Sequence, residues 1–289
     1  MAVSDANLPI GVFDSGMGGL TVLAALRQRL PTEDFIYLGD TARLPYGTKS
    51  AATVGRYAVQ AANVLVQRGV KALVVACNTA SATALDVLAK EFAPLPVFGV
   101  VEPGAAVASA VADASGVAVL ATESTIAGGA YQRALLAQQP ALQVLGRPCP
   151  LWVTLAEQGN LASALADAIL LDGVAGLVKT AETPDAPSTL LLGCTHFPVF
   201  TAQLKQLLGE GVRVVDSAQT TAATVAAAMQ AQNLVADADA DADADSYADA
   251  DADGGGNVVF MATDGVQRFQ RVGAVFLGEA LPNVELVDL

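Results

Sequence analysis

At 289 residues the chain is long enough for two ordinary domains around a sizeable core. Hydrophobic residues make up 53% of it but aromatics only 5%, so alanine and small aliphatics carry the apolar content, a mixture suited to helices packed closely on a sheet. The formal charge is −14, yet eight of the aspartates fall in one Ala-Asp repeat between Ala236 and Asp253; without them the net charge is −6, no basic stripe remains, and nucleic-acid binding is excluded.

The first nine residues hold no basic side chain and no apolar run of signal-peptide length. Pro103, Asp167, Asp172 and Asp216 interrupt the most apolar stretches before membrane-spanning length, so a cytoplasmic protein without a membrane partner is expected. Residues 10–13 read as a buried strand, followed by the glycine-rich turn Asp14-Ser15-Gly16-Met17-Gly18-Gly19 and a helix over 20–29. Strands then follow at 35–38, 72–76 and 97–100, separated by helices at 51–68 and 81–92. The pattern resumes with strands at 116–121, 189–193 and 212–215 and helices at 128–138, 199–208 and 218–229. After the Ala-Asp stretch come a strand at 258–262 and a helix at 267–277. Such alternation predicts an α/β fold, and the wholly apolar strands predict mainly parallel sheets flanked by helices on both faces. The repeat itself has nothing to bury and lacks the glycine and glutamate of an EF-hand loop, so residues 236–256 are expected to form a disordered insertion.

Leu73-Val-Val-Ala-Cys77-Asn78-Thr79 and Leu190-Leu-Leu-Gly-Cys194-Thr195-His196 echo each other, each running from a buried strand into a cysteine and two polar residues. In open α/β sheets ligands gather at the carboxyl ends of strands, where Asp14–Gly16, Asp40–Gly47, Cys77–Thr79 and Cys194–His196 all fall. A cysteine beside a strand is commonly a small core hydrophobe. Two at strand exits, each ahead of an expected helix start that lowers a thiol pKa from about 8.5, point to a pair of working thiols. The polar groups after each cysteine suit a carboxylate. The Asp14 turn lacks both the GxGxxG spacing and a Walker lysine, and fits either a helix cap or a ligand contact. His196, the only histidine, is open to a structural or a proton-carrying role, and Tyr46 to a turn or a site role; Cys149, between two prolines, reads as loop packing. Three distant cysteines and one histidine make no zinc set, and reduced thiols are expected.

Gly11-Val-Phe-Asp14-Ser-Gly-Met-Gly-Gly-Leu, Gly39-Asp-Thr-Ala-Arg-Leu-Pro45-Tyr-Gly, Ala76-Cys77-Asn-Thr-Ala and Gly193-Cys194-Thr-His196-Phe-Pro, in that order, closely resemble glutamate racemases. Cys149-Pro-Leu leading to Glu157, Val215-Asp-Ser-Ala and Thr263-Asp264 extend the resemblance over almost the whole chain. The Ala-Asp stretch has no counterpart, and Ala121-Thr-Glu-Ser-Thr125 departs from the usual Gly-Thr-x-Gly-Thr. The resemblance implies two like α/β domains, here divided as 1–98 with 212–289 and 99–211, with the active site in the cleft between them. It also implies a homodimer and a racemase that uses no cofactor or metal. Cys77 would deprotonate D-glutamate and Cys194 L-glutamate, with Asp14 beside the first and His196 and Glu157 beside the second. Asp14 and Ser15 would meet the substrate ammonium; Asn78, Thr79 and Thr195 the α-carboxylate; Tyr46 and Gly47 the side-chain carboxylate; Thr122, Thr125 and His196 complete the substrate-binding set. An aspartate racemase, a cysteine hydrolase using Cys194 with His196, and a non-catalytic dicarboxylate binder are the rival expectations.

Overall fold

The computed structural model describes residues 5–159, 161–236 and 256–289, so the body of the expected Ala-Asp insertion lies outside the described residues. Ten strands are described: β1 Ile10–Asp14, β2 Phe35–Gly39, β3 Ala72–Val75, β4 Val97–Gly99, β5 Val117–Ala121, β6 Val144–Pro148, β7 Thr189–Gly193, β8 Arg213–Asp216, β9 Val258–Ala262 and β10 Val284–Leu286. The helices among them are α1 Leu20–Arg29, α2 Ala51–Gln67, α3 Asn78–Glu91, α4 Val101–Val111, α5 Glu123–Gly128 and α6 Ala130–Gln138. They continue as α7 Pro150–Gln158, α8 Ala164–Val174, α9 Thr201–Leu208, α10 Ser217–Ala231 and α11 Val266–Leu277.

The strands form two sheets, in the orders β10-β9-β2-β1-β3-β4 and β6-β5-β7-β8, and every pairing is parallel. β1, β2, β3, β5 and β7 are buried along their whole length, as unbroken apolar strands covered by helices on both faces must be. The α/β expectation, with two mainly parallel sheets, is met. The core of each sheet repeats one arrangement: β2-β1-β3-β4 in the first and β6-β5-β7-β8 in the second. Each sheet therefore has a switch point, between β1 and β3 and between β5 and β7, where successive strands run off in opposite directions and leave a crevice.

β8 pairs with β7, which puts residues 213–216 in the second sheet although the division expected at 212 assigned them to the first half. Val214 and Val215 give this edge strand its apolar content, and Asp216 then caps α10 by accepting the amide N–H groups of Ala218 and Gln219, each at 3.0 Å. α10 packs on α1 and on α4, and so clasps the two halves. The described residues on either side of 237–255 are held at one place. Ala236 N–H donates to Glu33 Oε1 at 2.8 Å, Gly256 N–H to Pro31 O at 2.8 Å and Asn257 N–H to Asp34 Oδ1 at 2.6 Å. That loop precedes β2, at the end of the sheet opposite the switch points. Among the described residues, no helix is long and apolar enough to cross a membrane.

Candidate active site between the two sheets

A cleft of about 240 Å³ lies at the carboxyl ends of β1, β3, β5 and β7, the four strands that flank the two switch points. It is smaller than the ~300–1,000 Å³ pockets that hold drug-sized ligands, and suits a molecule of amino-acid size. Cys77 follows β3 and Cys194 follows β7; both are buried, unbridged and part of the cleft wall, one from each sheet. The two segments that echo each other in sequence thus occupy equivalent places in the two halves.

Cys77 immediately precedes α3. Its sulfur accepts the Ala80 amide N–H at 3.5 Å, and its S–H donates to Ser15 Oγ at 3.4 Å. The helix start was expected to lower the thiol pKa. Burial outweighs that influence, the Asp14 charge adds to it, and the Cys77 pKa is pushed up to about 12. Cys77 therefore rests as a protonated thiol. Cys194 does not sit at an α-helix start at all: a 3₁₀ turn over Phe197–Phe200 intervenes before α9. What stands beside its sulfur is His196, whose Nδ1 is 3.8 Å away although the two residues are near neighbours in the chain.

His196 Nε2 is 3.1 Å from Glu157 Oε1, and Glu157 Oε2 accepts from Arg268 Nη2 at 2.7 Å. Burial works to lower the histidine pKa, but the bonds to Cys194 and Glu157 overcome it and bring it up to about 10. Burial pushes the Glu157 carboxyl the other way from its partners; the contacts with His196 and Arg268 win and hold it below the usual range. At neutral pH this is an imidazolium on a carboxylate, with a proton donor in reach of the Cys194 sulfur.

Asp14 lies beneath the cleft and is fully buried. Its Oδ2 accepts the Gly16 N–H at 2.9 Å, and its Oδ1 has no hydrogen-bond partner. Burial raises its pKa, against the charge of His196 and the amides of Gly19, Gly16 and Ser15. It does not cap α1, whose cap is Gly19 without a side-chain bond. On the other side, Thr79 Oγ1 lies 3.0 Å from Thr122 Oγ1 and 3.3 Å from Thr125 Oγ1, joining α3 to the start of α5 in a cluster of hydroxyls. Thr125 stands just behind the wall that Thr79 and Thr122 form. Asn78 Nδ2 donates to Tyr131 OH at 2.6 Å, leaving Oδ1 buried without a partner. Tyr46 is buried against Phe13 and Tyr57, and its hydroxyl donates to Asp40, so the hydroxyl is committed inside the protein while the turn Pro45–Thr48 lines the cleft.

A family model described as Asp/Glu/Hydantoin racemase matches residues 16–225. The chain belongs to that family. A curated relative from Geobacter metallireducens named glutamate racemase is 42% identical over 280 residues, covering 97% of this chain and 96% of its own. The solved glutamate racemase of Francisella tularensis, in complex with D-glutamate, superposes with a TM-score of 0.84 at 31% identity and covers 98% of both chains. That of Thermus thermophilus, in complex with β-chloro-D-alanine, gives a TM-score of 0.80 at 39% identity over 99% of both chains. The protein is a racemase, an isomerase, of this family.

The racemase gathers Ser15, Tyr46, Gly47, Cys77, Asn78, Thr79, Thr122, Glu157, Cys194, Thr195 and His196 around one cleft. Asp14 and Thr125 sit directly behind it. The sequence does not point to Thr154 and Val153 on α7 or Glu123 on α5, which also line the wall, nor to the supports Tyr131 and Arg268; Asp40, in a segment it does mark, supports the Tyr46 hydroxyl. Thr154 and Glu157 are three apart on one helical face, a signal readable only once residues 150–158 are known to be helical. Cys149 is buried, lines no part of the cleft, and has its thiol pushed up to about 12 by burial, which fits the packing role expected of it. Among the described residues no group of three or more His, Cys, Asp or Glu side chains converges to hold a metal ion.

Proposed function

We propose that the protein interconverts L- and D-glutamate by two-cysteine acid–base catalysis without a cofactor. The observation that carries this reading is the pair Cys77 and Cys194, one thiol at the switch point of each sheet and both lining one cleft. Racemisation removes a proton from one face of Cα and returns one to the other, and a single base does not readily reach both faces. With Cys77 deprotonated to its thiolate and Cys194 as a thiol, Cys77 takes the Cα proton of D-glutamate while Cys194 delivers one to the opposite face; with L-glutamate the protonation states and the roles exchange. Positioned groups of this kind contribute about 10²–10⁴ each.

The remaining wall suits the rest of the substrate. Asn78, Thr79, Thr122 and Thr195 offer neutral donors to the α-carboxylate, with Thr125 braced behind them. The Tyr46–Gly47 turn meets the side-chain carboxylate, and Ser15 over the Asp14 carboxylate meets the ammonium. His196, held as an imidazolium by Glu157, resupplies the proton of Cys194. Fixed dipoles in a water-poor cleft stabilise the carbanion. The relatives named glutamate racemase, and the D-glutamate in the Francisella tularensis neighbour, support glutamate over aspartate. A cytoplasmic homodimer that supplies D-glutamate for peptidoglycan synthesis belongs to the same reading.

Circular dichroism on L- and D-glutamate without added cofactor tests it, with aspartate in parallel. Both hands of glutamate should racemise, solvent deuterium should enter Cα, and Cys77→Ser and Cys194→Ser should each nearly abolish turnover. Two-way turnover in either variant would remove the two-thiol mechanism, and activity confined to aspartate would replace the substrate.

A further inference from the structure

The Glu157 carboxylate that holds His196 is itself held by a residue from the other half of the molecule. Arg268 lies in the first turn of α11, the helix that follows β9 of the first sheet, whereas Glu157 ends α7 in the second half. α11 is anchored to its own sheet through Phe269, whose ring packs on Tyr37 at 6.0 Å. Arg268, Val272, Val275 and Phe276 share another face, at spacings of four, seven and eight residues. That face looks across at the Cys194 side. Arg268 Nη2 donates to Glu157 Oε2 at 2.7 Å, Val275 Cγ2 lies 3.6 Å from where a side chain on Gly159 would begin, and Phe276 meets the His196 ring edge-on at 5.0 Å.

We infer that Arg268 is a positioning residue for the Cys194 half of the reaction, fixing the Glu157 carboxylate so that it keeps His196 charged and aimed at the sulfur. The inference rests on the proposed two-cysteine chemistry. Each carboxylate oxygen has one partner, Oε1 the histidine and Oε2 the arginine, so the arginine sets the rotation that presents Oε1 to the ring. The groups facing His196 are Cys194 beside it, Glu157 from α7, the Asp14 charge from β1 and the apolar Phe276 from α11. Arg268 is 44% exposed on its side chain, so its ion pair adds little to stability and its loss leaves the fold intact.

Because His196 is the sole histidine, its NMR titration reads the relay directly in untagged protein. Removing a nearby cation would by itself raise the histidine pKa, whereas losing the orientation of Glu157 lowers it. In Arg268→Met the pKa should fall, and in Arg268→Lys it should return most of the way. The kcat for glutamate should drop on the order of tenfold to a hundredfold in Arg268→Met, with KM little changed. Its acid limb should move to higher pH, since Glu157 loses the partner that keeps it ionised. The primary isotope effect should grow with Cα-deuterated L-glutamate and shrink with the D isomer, because the Cys194 step becomes the slow one. A histidine pKa that rises or stays put, or an unchanged isotope pattern, would overturn the role of Arg268. Wild-type protein that fails to racemise glutamate would instead sink the two-cysteine reading, with the histidine titration still deciding whether Arg268 positions Glu157.

Discussion

His196 stands at the point where two kinds of force on a proton oppose each other. Burial disfavours the imidazolium, while a carboxylate at 3.1 Å and a sulfur at 3.8 Å favour it, and the second pair wins. The folded pKa of about 10 lies above the unfolded value of about 6.5, so protonation stabilises the fold. That contribution is fully present below pH 6.5 and is lost as pH rises through 10. Denaturant unfolding of wild type and His196→Gln across this range should show a stability gap that is largest at the acid end and closes toward pH 10. A gap that widens with pH would mean that the ring is neutral in the folded protein. Cys77 has no comparable partner: burial and the Asp14 charge hold it as a thiol, against the Ser15 hydroxyl and the Ala80 amide. The two proposed proton carriers are therefore alike in position but unlike in their surroundings.

Elements decide how closely the two walls approach. The Pro45–Thr48 turn is braced from behind by Asp40, which receives Tyr46 OH, Arg43 Nε at 2.6 Å and Thr263 Oγ1 at 3.0 Å. A Cβ on Gly47 would lie 2.8 Å from Thr122 Cβ, closer than side chains tolerate, so only glycine lets this turn meet the residue that precedes α5. Gly47→Ala should raise KM for glutamate several-fold while costing kcat less, measured by steady-state racemisation in both directions; an unchanged KM would show that the turn does not shape the substrate pocket. The elements that carry this geometry differ in how plainly the sequence announces them. β1, β3, β5 and β7 are continuous apolar runs ending in polar residues, and they place the two cysteines at their exits without further information. β6 is an edge strand containing Gly146, Arg147 and Pro148, so it has no apolar run to read. α4, α7 and α8 were also unread; Asp167 and Asp172 interrupt α8, and Pro150 opens α7. Missing α7 hid Thr154, and with it the reason Glu157 reaches His196; only the family resemblance brought Glu157 in. Arg268 was invisible for a different reason, since its partner comes from the other half and is 111 positions away in the chain.

At the scale of the molecule, two copies of one strand order supply one thiol each, and the loop of residues 31–34 gathers both edges of the acidic Ala-Asp segment at the end remote from the cleft. Activity should therefore not need that segment. Yet among the described residues the cleft wall contains no lysine or arginine and His196 is its one cation, and the protein as a whole carries −14. An anionic amino acid approaching it climbs a repulsive potential whose reach shrinks with salt, from a screening length of about 30 Å at 0.01 M to about 10 Å at 0.1 M. The specificity constant kcat/KM should rise with ionic strength, and excising residues 238–254 should flatten that rise while leaving kcat unchanged. A fall with salt would assign attraction to the cleft. Under the proposed substrate binding, selectivity comes from the fit of neutral hydroxyls and amides rather than from long-range capture: such a site waits for its substrate instead of drawing it in.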